Sequence, residues 1–488
     1  LIHQGYKVAI CDQMETPEEA KKRGRNALVR RDVVRLVTAG TLTEDNLLDA
    51  RQNNYLLCCA RYNDNFGLSW LDLSTGDFFT QYLESSLETM STDLQNALSK
   101  LQPVEIIVAD NLLSIPDLFR LLNLYRDKLT VLPEARFNSL SSRQFMEKLF
   151  HVKTLDAFGN FSKVEIAAAG VVLDYIENTQ KGKMPRIKRP IKINDFKCME
   201  IDNATRTNLE ILESVNRDKS TSLLGTIDHT ITGAGARMLR YRLTNPSLDI
   251  IEINQRLDAV EFFISMPEIR NELREYFKSF SDLERAVSRL SLGRGGPKDL
   301  AAIGLTLSFI PKIRNLLGSY GKYNKILEKL PDAIENILKK TCDFSTIVDN
   351  LERALITGEE LPVLARDGGF IRSGYYPALD ELKDLHENSR SLITKLEHKY
   401  AEETNIPNLK IRYNNVLGYF IEIPSKYAAS VLQNPQFIHR QSVLNAARFV
   451  TVELTDLEKE IRSAGEKIVA MEVELYERLV EDILCVSD

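Results

Sequence analysis

Residues 410–423, KIRYNNVLGYFIEI, decide how this chain is read. Two strand-like runs, LKIRY and GYFIEI, are separated by Asn414-Asn415 and Gly418, residue types that suit a tight turn. The segment interrupts helical periodicity on both sides. In 379–403, Leu382, Leu385, Leu392, Leu396 and Tyr400 fall at three- and four-residue spacing, with Ser389 filling one step. In 453–484 the series is Leu454, Leu457, Ile461, Ala464, Ile468, Met471, Leu475 and Leu479. Each is the seam of a helix pair, and the second helix would be roughly 45 Å long. Helices flanking one compact insertion should lie antiparallel and hold it at their far end. FIHRQSV (437–443) and ARFVTVEL (447–454), with Asn445 between them, add two strand candidates. The insertion, about 405–451, reads as a small sheet on a helical stalk.

This insertion is basic in an acidic chain. The formal net charge is −6, so nucleic-acid binding would have to come from a local patch. Between 408 and 450 the ionised residues are Lys410, Arg412, Lys426, Arg440 and Arg448 against Glu422 alone, a local excess of four positive charges. Tyr413, Asn414, Asn415, His439, Gln441 and Asn445 add donors for phosphate oxygens. Contacts to phosphate fix position without reading sequence, which suits a protein that must hold any duplex. The candidate DNA-contacting residues are Lys410, Arg412, Asn414, Arg440, Asn445 and Arg448. The competing reading is a solvated sheet edge protected by charge. Neutralising about four phosphates would give a log–log salt slope near −3.6.

The 488 residues suggest about three domains. Hydrophobic content of 43% and charged content of 27% are ordinary for a globular protein with a real core. Cys11, Cys58, Cys59, Cys198, Cys342 and Cys485 lack paired metal-ligand spacing and read as free thiols of a reducing cytoplasm. Cys58 and Cys59 are adjacent and would point to opposite faces of a strand. No apolar run comes near the ~18 residues that span a bilayer, and no signal peptide is visible.

Residues 6–11, 17–23 and 32–40 read as strand, helix and strand. YLLCCARY, FGLSWLDL and GDFFTQYL form an antiparallel meander. A helix over 87–101, a buried strand VEIIVA and a helix over 164–178 make this region α/β. KGKMPRIKRPIK (181–192) holds two prolines and six basic residues; it reads as a solvated linker, with a phosphate-contacting linker as the sharper alternative. From about 195 the pattern is almost wholly helical, including 204–215, 235–243, 253–265, 282–289 and 331–340, with apolar residues spaced as buried stripes.

Several stretches, in order, resemble the MutS mismatch-repair family: GYKVAICDQMETPEEAK, RRDVVRLVTAGTL, IDNATRTNLEI, TSLLGTIDHTITGAGARMLRYRLTNP, LPVLARDGGFIRSGYYPALDEL, YNNVLGYFIEI and RQSVLNAARFVTVEL. The likeness covers essentially the whole chain. It implies a multidomain fold, mainly α with α/β parts. Residues 1–41 resemble the end of the mismatch-binding domain, and 42–180 a connector of ribonuclease-H-like fold. A basic linker follows at 181–192. Residues 193–389 and 452–488 resemble the helical core with long antiparallel lever helices, and 390–451 the β-rich clamp at the lever tip. The family's clamp contact strip fits Arg440, Asn445 and Arg448 best. It departs at His439 and Leu444, where further basic residues would strengthen the hold.

The resemblance implies a parent that binds mispaired double-stranded DNA as a homodimer, uses ATP and Mg²⁺, and recruits a MutL-type partner through the connector. By the resemblance, the family's mismatch-reading Phe-x-Glu motif is expected upstream of these residues and its Walker A loop downstream; no G-x-x-x-x-G-K-(S/T) occurs in this sequence, so this chain alone is not expected to hydrolyse ATP or hold a cofactor. The glycine pairs at 233–235 and 293–296 read as turns between helices rather than phosphate loops. A two-metal nuclease needs clustered carboxylates, and the first meander strand contains no acid. The six histidines lack zinc-ligand spacing. Asp228-His229 reads as a capping turn that begins a helix, and Trp70, Phe66 and Phe78 as core. Two other readings remain: a helical scaffold that binds only proteins, and a family relative specialised for recombination.

Overall fold

A computed structural model describes residues 2, 5–24, 27–86, 88–182, 184–193, 198–216, 218, 220–319, 330–356, 358, 361–414 and 417–487. The chain divides into two compact units, the first comprising residues up to 295 with 302–345, the second 296–301 with 346–486.

The first unit opens with an antiparallel ribbon, β1 (Val8–Gln13) and β2 (Arg31–Val37), bulged between Ile10 and Cys11. Between them lies the helix Pro17–Arg23, started by a Thr16/Glu19 capping box. A six-stranded mixed sheet follows: β3 (Tyr55–Tyr62), β4 (Asn65–Asp72), β5 (Asp77–Leu83), β6 (Glu105–Ala109), β7 (Leu129–Leu132) and β8 (Ile191–Ile193). Its order is β7-β6-β3-β4-β5-β8. The expected meander β3–β4–β5 is antiparallel, while β6 pairs parallel with β3 and with β7. The near-continuous apolar strands are explained by cover on both faces. Cys58 packs with Leu56, Ile107 and Val172, and Cys59 with Leu94, Leu98 and Val108 on the other side. Burial pushes both thiols up, that of Cys59 to about 12. Phe66, Phe78 and Trp70 are core residues. Gly67 is required because a Cβ there would lie 2.3 Å from the carbonyl of Val164 in the helix Lys163–Thr179.

Charges inside this unit are structural. Glu105 accepts from Thr38 Oγ1 (2.5 Å), Gly40 N (3.0 Å), Thr130 Oγ1 (2.7 Å) and the Tyr175 hydroxyl (2.7 Å). The basic linker is likewise engaged. Lys188 pairs with Asp77 and Glu284, and Lys192 with buried Glu165. That removes two cations from the phosphate-contacting alternative.

Five expectations are corrected between residues 203 and 318. The helix expected over 204–215 ends at Asn208; Ile211 and Leu212 are buried in turns beyond it. Gly233 and Gly235 are not in an interhelical turn but in the first turn of the helix Gly233–Thr244, whose Thr232 hydroxyl accepts from Gly235 N. Asp228 closes the helix Leu223–Ile227 and pairs with Arg51 rather than starting a helix. The helix Ile250–Ser265 does not bury its whole stripe: Ile250, Leu257, Val260 and Ile264 are exposed. Lastly, Pro297–Gly318 is long and apolar enough by count to cross a membrane, with mean hydropathy 1.3. It is two helices separated at Phe309, with Pro311 opening the second and Leu316 and Leu317 buried.

In the second unit two long helices dominate, an inbound one, Pro377–Thr404, and an outbound one, Val452–Cys485, the latter about 51 Å long. They are antiparallel, because Lys399 meets Glu453 (2.9 Å) while Lys383 meets Glu472 (2.9 Å). Asn405, in the left-handed region at φ 51°, ends the inbound helix. Thr451 caps the outbound one by accepting from Leu454 N. Leu382, Leu392, Leu457, Ile461 and Ala464 line a gap of about 390 Å³ near the middle of the pair. The Leu385 and Ser389 side chains lie outside the described residues.

Between the helices stands a four-stranded antiparallel sheet: β9 (Lys410–Asn414), β10 (Gly418–Pro424), β11 (Ile438–Val443) and β12 (Ala446–Val450), in the order β11-β12-β10-β9. The strand expected to run from 447 to 454 stops at Val450, because Thr451 turns the chain into the outbound helix.

Candidate nucleic-acid interface

Strand alternation sorts this sheet into two unlike faces. Ile421, Ile423, Ala447 and Phe449 point inward and pack on Leu396 and Tyr400 of the inbound helix and Leu454 of the outbound one. Burying one aromatic such as Phe449 is worth roughly 1.5–3 kcal/mol, which is what welds the sheet to the helix ends. The Tyr400 hydroxyl bonds Thr451 Oγ1 (2.7 Å) and donates to Glu453 (3.1 Å). Burial first, with help from Glu453, pushes the Tyr400 phenol up to about 12.

Registers Lys410↔Glu422, Arg412↔Phe420, Glu422↔Arg448 and Gln441↔Arg448 place Lys410, Arg412, Glu422, Arg448 and Gln441 together on the outward face. Glu422 lies between the two arginines, 3.2 Å from Arg412 Nε and 3.4 Å from Arg448 Nε. Arg448 also donates to Gln441 Oε1 (3.0 Å), and its guanidinium stands 4.6 Å from the centroid of the Phe420 ring. These contacts leave Arg448 half-buried, whereas Arg412 is exposed. Lys410 reaches back to Glu397 of the inbound helix (2.8 Å), which also accepts from Ile411 N. Burial alone would raise the Glu397 carboxyl, but Lys410 and the Ile411 N–H outweigh it and hold it below the usual range.

Arg440 is different. The β11–β12 register shifts between His439 and Gln441, so Arg440 is the extra residue of a bulge. A bulge re-aims the side chain it carries. Arg440 is exposed and has no hydrogen-bond or ion-pair partner among the described residues. Asn445 is exposed at the β11–β12 turn, its carbonyl accepting from Ser425 N (3.1 Å), beside Leu444, which is 97% exposed. Asn414 serves the β9–β10 turn, its side-chain oxygen accepting from Leu417 N (2.7 Å). Asn415 lies outside the described residues. The structure therefore gathers Lys410, Arg412 and Arg448 on one face, sets Arg440 and Asn445 along the β11 side, and uses Asn414 locally. Sequence reading missed Glu397, which lies thirteen residues before Lys410 and meets it only through packing. Among the described residues no three His, Cys, Asp or Glu side chains gather as a metal site.

The fold defines a multidomain, mixed α/β chain with a single-faced sheet on paired helices. Family models for MutS domain I, MutS domain II and MutS domain III match residues 1–46, 54–188 and 204–487. The DNA mismatch repair protein MutS of Roseobacter denitrificans is 42% identical over 492 residues, covering 100% of this chain and 54% of that relative. Those of Ruegeria pomeroyi and Caulobacter vibrioides are also 42% identical, over 489 and 496 residues, covering 99% and 100% of this chain and 54% of each relative. The chain belongs to the MutS family. It spans about half the length of the curated relatives it matches.

Proposed function

We propose that this chain is the transmitting middle of a DNA mismatch sensor, gripping duplex DNA without sequence preference through the sheet at the tip of its helix pair. The observation that carries the reading is the outward face holding Lys410, Arg412 and Arg448, with Arg440 open beside it. Surface ion pairs such as Arg412–Glu422 are worth about 0–1 kcal/mol. A phosphate can replace Glu422 as partner at little cost. On this reading 390–451 acts as clamp and 193–389 with 452–488 as core and levers. Residues 42–180 form a ribonuclease-H-like connector, and 1–41 the end of the mismatch-binding domain.

In the whole protein, two subunits would encircle DNA, and one would insert a Phe where weakened stacking makes bending cheaper. ATP with Mg²⁺, bound elsewhere in the parent, would move the levers and clamps, and a MutL-type partner would dock on the connector. This chain would carry the motion, since rigid elements with two arrangements can couple distant sites. A cytoplasmic location fits that role. The test is anisotropy of a labelled duplex against salt concentration, with matched and mispaired DNA. A slope near −3.6, for about four neutralised phosphates, and equal affinity for both duplexes are expected. A flat salt response would favour the protein-only scaffold instead.

A further inference from the structure

A second site, independent of the tip sheet, lies within the first unit. A pocket opens between β3–β5, the end of the helix Met90–Leu101 and the helix Gly233–Thr244. Its cavity volume is about 60 Å³, and it opens to solvent. One water occupies about 10–15 Å³ on this measure, so the cavity has room for a phosphate-sized group, with its open side facing solvent. Two cations, Lys100 and Arg240, line the pocket, and no carboxylate does.

Arg240 donates Nη2 to the neutral Gln102 side-chain oxygen and has no carboxylate bonded to it among the described residues. Burial draws its guanidinium below the ordinary range; Glu213 and Asp49 oppose this only through space. A partly buried guanidinium whose bonded partner is a neutral amide keeps donors for an incoming anion. The remaining wall is aromatic and amide. Trp70 stacks on Phe79 with ring centroids 5.6 Å apart, and Tyr55 and Tyr241 stand beside them. Burial pushes both phenols up, keeping them neutral donors. Aromatic faces for a ring, amides for its polar edge and a guanidinium for a monoester phosphate are the parts of a nucleotide site.

We propose that this pocket binds a nucleoside monophosphate, with the phosphate on Arg240 and the ring against the accessible parts of Phe79, Tyr55 and Tyr241, in front of buried Trp70. Trp70 is the chain's one tryptophan and stacks on Phe79 of the pocket wall, so its fluorescence reports changes at that wall. Adenosine monophosphate, adenosine and inorganic phosphate are titrated separately into the whole chain, excited at the red edge of tryptophan absorption, with calorimetry in parallel. Saturable binding of the monophosphate is expected, with adenosine and phosphate each weaker by about tenfold or more. Arg240→Gln should weaken it about tenfold and Arg240→Lys should restore part of that, with thermal unfolding unchanged in both. No saturation at millimolar monophosphate overturns the proposal. So does equal binding of adenosine or of phosphate alone, or an affinity unmoved in a folded Arg240→Gln variant.

Discussion

The two larger sheets of the chain treat charge in opposite ways. The six-stranded sheet is covered on both faces, and Glu105 of its strand β6 and Glu165 of the covering helix Lys163–Thr179 are buried and bonded inward. The four-stranded sheet is covered on one face only, so its charges stand outward or are held by weak partners. A sheet buried on both sides has no face to offer a polyanion. A sheet welded to helix ends through one face has its other face free for contact. Being half-covered, rather than being basic, is what makes the second sheet a candidate interface.

The most severe test of that contrast is Phe449→Ala. Removing a fully buried ring from the single covered face should cost about 3–5 kcal/mol and abolish duplex binding along with the tip fold. Urea unfolding and anisotropy on one sample check both. Glu105→Ala is the counterpart in the two-faced sheet. It leaves the Tyr175, Thr130 and Thr38 hydroxyls without their acceptor and should cost about 3 kcal/mol, while duplex affinity per folded molecule stays unchanged. A fall in that affinity would break the comparison.

Smaller effects sharpen it. Arg440→Ala should weaken duplex binding about threefold to tenfold and reduce the magnitude of the salt slope by about 0.9, one phosphate contact. Glu422→Gln should act in the opposite sense, tightening binding about twofold by freeing Arg412 and Arg448. Weaker binding by that variant would show that Glu422 orders the arginines rather than competing for them. Acid should give the slightest effect. Burial would raise the Glu397 carboxyl, but its bonds to Lys410 and the Ile411 N–H lower it overall from an ordinary 4.5; Glu453 is lowered chiefly by its bond from Lys399. A lowered carboxyl contributes stability that is complete above its unfolded value and is lost as pH falls through the lower folded one. Melting of the tip should therefore become easier below about pH 4.5, and the double variant Glu397→Gln/Glu453→Gln should flatten that dependence.

Much of this was legible before any coordinates. The seam residues from Leu382 to Tyr400 and from Leu454 to Leu479 mark both long helices, because helical spacing survives in a linear string. Asn414 and Gly418 mark the β9–β10 turn for the same local reason. The three-dimensional partners were not legible. Nothing near Arg440 in sequence announces a bulge, since register depends on what the opposite strand does. The exposed stripe of Ile250, Leu257, Val260 and Ile264 has the spacing of a buried one, and periodicity records a face without recording what covers it.

Sequence alone determined the order of parts, the helix pair with its β insertion, and the local positive excess between 408 and 450, all of which depend on neighbours along the chain. Tertiary structure decided which of those charges are open. Lys410 is held by Glu397, Arg412 and Arg448 share Glu422, and Arg440 is left without a partner among the described residues. The physical reason is that electrostatic partnership depends on distance in space, and strand pairing and helix packing set those distances between residues far apart along the backbone.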